Sequence, residues 1–430
     1  MKTLRPYPRL IITKKGTRWT EGGHPWIYEA EVLRTEDASG VILPLPLENG
    51  SLVDVVSESG KYLGTGFLSL QSKIRVRILS RNANDRFDED FWRRRVRYAL
   101  DYRKAVMGRE DLPACRVIFG EADGFPGLTV DRFNDLLVSE VLSVGIEQRK
   151  GLIYRLLLEE FLRDGVQIRG IYERNESKIR ELEGLPMEKG WYSGTMADAP
   201  DSSREASLSP LTEIVENGVH YHVDVENGQK TGFFLDQKYN RRTIQPLAAG
   251  RKVLDLCTHT GSFALNALRG GAASVTAVDV SASAIAMAKK NVVLNGWALD
   301  EPGSRISFVV SDVFDYLQGL VDQKQHPFDL IILDPPAFTK SRKTQKNAER
   351  GYREVNALAM RVLGRGGYLC TASCSHFLTQ EEFLQVLNEA ASDADVTLKL
   401  AERRGQAPDH PILPLVPETE YLKFLILQII

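Results

Sequence analysis

From Gly250 onward short apolar runs alternate with stretches of helical period, and this rhythm constrains the fold more than any other feature of the chain. Val253–Leu256, SVTAVDV, RISFVVSD, FDLIILD and GYLCTAS are the apolar runs, while SFALNALRGG and ASAIAMAKKNVVLNG carry helical spacing, with Gly296 as a stop. Runs of about four to eight apolar residues are short for helices and fit strands buried on both faces. Strand–helix alternation at this spacing predicts an α/β fold, a parallel sheet covered by helices on both faces. In such a sheet ligands are held at the carboxyl ends of the strands.

A chain of 430 residues is too long for one core, so further domains are expected. Residues 1–80 hold short alternating runs (Arg9–Thr13, Ser51–Ser57, Ile74–Leu79) broken by Gly and Pro, the pattern of a small β-barrel. Residues 81–192 combine a charged helix over 86–109, strand-like runs such as CRVIF and DLLVSEVL, and the helix KGLIYRLLLEEFLRD; this predicts an α+β domain. Residues 193–210 are small and polar and read as a linker, leaving 211–430 for the parallel sheet. The first part of the last region holds two strand-like pieces, each followed by Asn-Gly, a turn signal.

Charge separates these regions. Met1–Arg81 carries 12 Lys+Arg against 8 Asp+Glu, which leaves the remainder at −6 in a chain whose net charge is −2. A basic module on a slightly acidic protein fits polyanion binding, and it also fits an ordinary solvated surface. The four cysteines (Cys115, Cys257, Cys370, Cys374) form no C-x-x-C pair and the histidines are scattered, so neither zinc nor a disulfide framework is expected. A reducing, cytoplasmic setting follows. The N-terminus lacks a long apolar core of the kind a signal peptide needs, and YLKFLILQII is too short to span a bilayer; it reads as a buried strand, pairing in its own sheet or across a homodimer.

Acids stand where the predicted strands end. Asp255 and Gly261 bracket the turn after the first strand, VLDLCTHTGSF, with Thr258 between them. Gly261 would let backbone approach a ligand and Ser262 opens the next helix. Asp279 ends the second strand, suited to two ribose hydroxyls, and Asp312 follows the third, suited to an adenine amine. Each acid alone is equally a helix cap. Together, in this order, they point to a nucleoside-containing cofactor. The turn lacks G-x-G-x-x-G, so a nicotinamide cofactor is not expected. The order resembles class I S-adenosylmethionine-dependent methyltransferases over about residues 225–430, with Cys257 and His259 standing where that family has glycines.

The fourth strand ends in Asp334-Pro335-Pro336-Ala337-Phe338, a stiff loop whose aromatic ring is placed to stack on a planar base. The fifth runs into Ser373-Cys374-Ser375-His376. A thiolate that adds to carbon 6 of cytosine makes carbon 5 nucleophilic, so Cys374 is the candidate nucleophile, with Asp334 orienting or protonating the ring edge. His376 is a neighbour able to lower the thiol pKa. Cys370, inside the strand, reads as core.

Taken with GHPWIYEAEV, GFPGLTVDRF, GQKTGFFLDQKYNRR, LDPPAF, RGYREVNALAM, SCSH and DHPILPLVPETEYLK, the chain resembles the RlmI-type family of large-subunit ribosomal RNA methyltransferases along nearly its whole length. The resemblance implies an N-terminal PUA domain, a central α+β domain and a C-terminal Rossmann-like domain with a mostly parallel seven-stranded sheet. It implies S-adenosylmethionine as cofactor, ribosomal RNA as partner and 5-methylcytosine as product, with neither membrane nor metal involved. It also implies that GQKTGFFLDQ closes over the cofactor with Phe234 against its methionine part. As in the RlmI-type pattern, DPPAF lacks the second cysteine that many RNA cytosine-5 methyltransferases carry, so the group that removes the carbon-5 proton is unassigned.

In the basic N-terminal region Arg5, Arg9, Lys14, Lys15 and Arg18 are the candidate phosphate contacts. Trp26 and Tyr28 are candidates for base stacking, or for core. Two other functions fit the same residues. One is a base-amine or guanine-N7 methyltransferase that uses the Asp334 loop without a thiolate. The other is a non-catalytic RNA-binding or assembly factor.

Overall fold

The structure is a computed structural model that describes residues 5–42, 47–196, 208–338 and 345–430. The chain divides into two units: Met1–Thr212 with Val223–Phe234 and Pro408–Thr419, and Glu213–His222 with Leu235–Ala407 and Glu420–Ile430.

In the first unit, the alternating runs near the N-terminus form a six-stranded sheet. Its strands are β1 (Arg9–Ile12), β2 (Trp26–Tyr28), β3 (Val32–Glu36), β4 (Leu52–Ser57), β5 (Tyr62–Leu68) and β6 (Ile74–Ser80), in the order β2-β6-β5-β4-β1-β3. Only β1 and β4 pair in parallel. Leu10, Ile12, Ile27, Val53, Val55 and Val76 fill the interior. The run after β1 turns into helix α1 (Lys14–Glu21) because Thr13 caps it, its hydroxyl accepting from the Gly16 amide (3.1 Å).

The charged segment is helix α2 (Glu89–Val106), capped by Asp88. It packs with α3 (Val144–Glu147) and α4 (Lys150–Arg163) on a second sheet, ordered β11-β10-β9-β8-β7. Those strands are β7 (Ala114–Phe119), β8 (Leu128–Phe133), β9 (Leu136–Val141), β10 (Gly170–Asn175) and β11 (Glu188–Trp191). Phe67 of β5 stacks on Trp92 of α2 at 6.2 Å, so the small sheet and the α+β part share one apolar seam. Of the 193–210 linker, residues 197–207 lie outside the described residues.

A hairpin follows, β12 (Leu211–Glu216) and β13 (Val219–Asp224). Asn217 and Gly218 take φ of 55° and 76°, the left-handed pair that a two-residue hairpin turn demands. The second Asn-Gly does something else. The Asp224 carboxylate accepts the amides of Glu226 and Asn227, a side-chain-built turn rather than a hairpin.

The second unit carries the parallel sheet. After α5 (Lys238–Ala248) come β14 (Lys252–Leu256), α6 (Ser262–Arg269), β15 (Ser274–Asp279), α7 (Ala282–Leu294), β16 (Ile306–Val310), α8 (Val313–Asp322), β17 (Phe328–Leu333), α9 (Gln345–Val362), β18 (Leu363–Ser373), α10 (Gln380–Asp393), β19 (Leu398–Arg404) and β20 (Lys423–Ile429). The order is β16-β15-β14-β17-β18-β20-β19, with β20 the one strand that runs against its neighbours. The YLKFLILQII segment thus pairs on both sides within its own sheet, leaving it no edge for a second copy. Strand β19 (LKLAERR) has four charged residues among its seven, so it forms no apolar run in the sequence.

Candidate active site

The turn after β14 is held from below by Asp255, which is fully buried. One of its oxygens accepts the Thr258 hydroxyl and the Ala264 amide (2.9 Å); the other has no partner among the described residues. Burial pushes this carboxyl up to about 7, and the nearby charges of Asp334 and Asp279 push the same way. Asp255 and Thr258 therefore shape the turn from inside.

The turn runs through left-handed backbone at Cys257 (φ 59°), His259 (51°) and Gly261 (83°). Two side-chain-bearing residues occupy conformations that glycine adopts freely, at a cost of about 1–2 kcal/mol each. Gly261 is also required by the packing around it. A Cβ there would lie 2.7 Å from Leu265 and 3.1 Å from Ala288, so the constraint is helix packing plus positive φ.

Asp279, at the end of β15, binds the His259 amide with one oxygen and the Ser281 amide with the other, each at 2.8 Å. Each oxygen keeps further acceptor capacity. Asp312 caps α8, accepting from Phe314 (2.8 Å) and Asp315 (3.3 Å), and is exposed at the end of β16. It thus realises the capping alternative while standing at the strand end that was expected.

Asp334 follows Leu333 at the end of β17, and Cys374 follows Ser373 at the end of the adjacent strand β18. Gln237 donates to Asp334 (3.0 Å). Pro335 is buried and Pro336 exposed. Phe338, expected to stack on a base, instead sits edge-to-face on Tyr352 (4.7 Å) and tilts toward Phe314 (6.3 Å), forming the wall behind the loop. Tyr352 also meets the Ser375 hydroxyl (3.1 Å) and Phe383.

The cysteines differ sharply. Cys115 and Cys370 are buried, and burial holds the Cys370 and Cys257 thiols well above their ordinary range. Cys374 is half-buried and forms no disulfide. The exposed His376 ring lies against Tyr421 (5.3 Å). Gln237, Tyr352 and Lys423 were not picked out from the sequence; each acts through a contact distant in the chain, which no local pattern displays. Phe234 belongs to the 223–234 stretch of the first unit, where Lys230 lies 5.2 Å from its ring.

The basic residues sort into two groups. Arg5 is committed: it pairs with Asp54 (2.8 Å) and lies over the Tyr7 and Tyr62 rings, so it is structural and not an open phosphate contact. Arg9 stands 3.6 Å from Glu36. Lys14, Lys15 and Arg18 are exposed on α1 together with Trp19, which is 51% exposed and has Lys15 over its ring. Trp26 is tied to Glu121 through its indole N–H (2.8 Å). The open aromatic is Trp19, which the sequence could have shown only once α1 was recognised as a helix.

The site as a whole is rich in acceptors and acids, with one buried carboxylate oxygen unpartnered. That donor set fits a ligand that brings ribose hydroxyls, an ammonium and a net positive charge. Among the described residues no cluster of three or more His, Cys, Asp or Glu is arranged to hold a metal, and no helix is long and apolar enough to cross a membrane.

Comparison with known proteins agrees with this geometry. Residues 197–427 match the family of S-adenosylmethionine-dependent methyltransferases, and residues 10–81 match a PUA-like domain. Ribosomal RNA large subunit methyltransferase I of Klebsiella pneumoniae (strain 342) is 36% identical over 97% of each chain, and that of Erwinia tasmaniensis is 38% identical over 96% of this chain and 98% of its own. A crystal structure of a methyltransferase complexed with SAH has the same fold, with a TM-score of 0.78 and 21% identity over 98% of this chain and 99% of that one; another, from Streptococcus mutans, has a TM-score of 0.77 at 21% identity and the same coverage. The protein is an S-adenosylmethionine-dependent methyltransferase, and it belongs to the ribosomal RNA large subunit methyltransferase I family.

Proposed function

We propose that this enzyme forms 5-methylcytosine in large-subunit (23S-type) ribosomal RNA, with Cys374 as nucleophile. The observation that carries the reading is the pairing of a half-buried cysteine at the end of β18 with Asp334 at the end of the neighbouring β17. Its relatives' name supplies the RNA class.

Asp279 and Asp312 would hold the ribose and the adenine, and Asp255, Thr258 and Gly261 would keep the turn beneath them in shape. Bound there, S-adenosylmethionine supplies an electrophilic methyl group. The Cys374 sulfur adds to carbon 6 of the cytosine while Asp334 orients the ring edge and delivers a proton to N3. Carbon 5 thereby gains enamine character. Carbon 5 would then take that methyl group as the methyl–sulfur bond breaks and its electron pair stays on the leaving sulfur; loss of the carbon-5 proton to a base lets the bond to Cys374 break, which returns the thiolate, and N3 gives its proton back to Asp334. Pro335 and Pro336 keep the Asp334 loop stiff, and Phe338 backs it.

Residues 1–80 act as the RNA-binding module, through Lys14, Lys15 and Arg18 on α1, with Arg9 at its margin. Residues 81–192 form the central domain, 193–210 a linker, and 211–430 the catalytic domain, working in the cytoplasm. The test is nucleoside analysis of ribosomal RNA from a strain lacking the gene. One 5-methylcytosine should be missing, restored by the wild-type gene and not by Cys374→Ala. Loss of an amine-methylated base or of 7-methylguanine instead would refute the reading.

A further inference from the structure

Lys423 is buried to 5% exposure, and the mechanism above makes no use of it. It lies on β20, in register with Ser373, the residue before Cys374. Its ammonium donates to the Ser375 carbonyl (2.6 Å) and the Tyr421 carbonyl (2.8 Å). Among the described residues no carboxylate forms an ion pair with it. A buried ammonium without a counter-charge is unfavourable, so such a group is retained where the charge serves something.

The surroundings show what it serves. The groups that act on Lys423 electrostatically are Cys374, Glu420 and Glu382. Glu382 is engaged in capping α10 and Glu420 is exposed, which leaves the Cys374 sulfur as the partner inside the site. Desolvation pushes the ammonium down to about 8, so it is mostly charged at pH 7. The turn itself is gripped twice: Lys423 holds the Ser375 carbonyl and Tyr352 holds the Ser375 hydroxyl.

We propose that Lys423 is a positioning residue for Cys374, its ammonium favouring the thiolate and fixing the Ser373–Ser375 turn that carries the sulfur. The inference rests on the reading of Cys374 as nucleophile. The thiol proton leaves to solvent, and Lys423 undergoes no covalent change.

The test is the pH dependence of Cys374 alkylation by iodoacetamide in the full chain, read by peptide mass spectrometry, with the buried Cys370 as internal reference. Lys423→Gln keeps a donor for the carbonyls and removes the charge. It should raise the alkylation midpoint by about one pH unit, about tenfold less thiolate near neutrality. Lys423→Arg should stay within about threefold of wild type. Calorimetric binding of S-adenosylmethionine reports whether each variant is folded. A folded Lys423→Gln with an unmoved midpoint overturns the proposal. If that variant does not fold, a folded Lys423→Arg with a raised midpoint overturns it. Full methylation by Cys374→Ala would instead sink the nucleophile reading, whatever the midpoints show.

Discussion

Asp279 accepts the backbone N–H of His259 at 2.8 Å, so the acid at the end of β15 is locked to the turn after β14. Its second oxygen is held by Ser281, which fixes the plane of the carboxylate before any ligand arrives. Preorganisation of this kind lowers the ordering cost of binding.

Asp279→Ala should therefore lose both the ribose acceptor and the tie to the turn. Hydrogen bonds to a charged group are worth about 1.5–3 kcal/mol, so affinity for S-adenosylmethionine should fall by about 10- to 100-fold. Isothermal titration calorimetry measures this. Unchanged affinity would mean that the ribose lies elsewhere.

The left-handed turn makes a second prediction. His259→Gly keeps the amide that Asp279 binds and relieves positive φ, so stability should change by less than about 1 kcal/mol. Gly261→Ala adds a methyl 2.7 Å from Leu265 at φ 83° and should cost about 2–4 kcal/mol. Urea denaturation of the two variants gives the comparison.

Asp255 predicts a pH dependence. Its folded carboxyl titrates near 7, above the ordinary range of an unfolded Asp, and burial is the main cause. Between about pH 4 and 7 the unfolded chain has released this proton and the folded chain has kept it. Stability contributed here is therefore complete below about pH 4 and is lost as pH rises through 7, by at most about 4 kcal/mol. Asp255→Asn removes the slope. Denaturation midpoints taken at about pH 5 and pH 8 should fall more steeply for wild type than for the variant.

The α1 surface predicts how RNA affinity responds to salt. Replacing Lys14, Lys15 and Arg18 by Ala should reduce the slope of log affinity against log salt by up to about 0.9 per lost phosphate contact. Arg5→Ala should leave the slope unchanged and lower stability by about 1–3 kcal/mol, because the buried Asp54 loses its cation and keeps only the Thr65 hydroxyl. Fluorescence anisotropy with a ribosomal RNA fragment distinguishes the two.

The catalytic fold could be read from the sequence because strands buried on both faces announce themselves as apolar runs, and because Asp255, Asp279, Asp312 and Asp334 mark their carboxyl ends. The charged edge strand β19 carries no such mark. The neighbours of Gly261, Phe338 and Arg5, which are Leu265, Tyr352 and Asp54, cannot be read from local sequence, because two of the three lie far away along the chain. Lys423 stands 49 residues beyond Cys374, and the register of β18 with β20 alone brings them together.

The most direct test of the account is to trap the enzyme on its substrate. Ribosomal RNA carrying 5-fluorocytosine blocks loss of the substituent at carbon 5, so an adduct formed there persists. Wild-type enzyme with S-adenosylmethionine should give a denaturation-resistant protein–RNA band whose cross-linked peptide contains Cys374, and Cys374→Ala should give none. A Cys374→Ala variant that methylates RNA at the wild-type rate, or an adduct mapped to another residue, would contradict the mechanism.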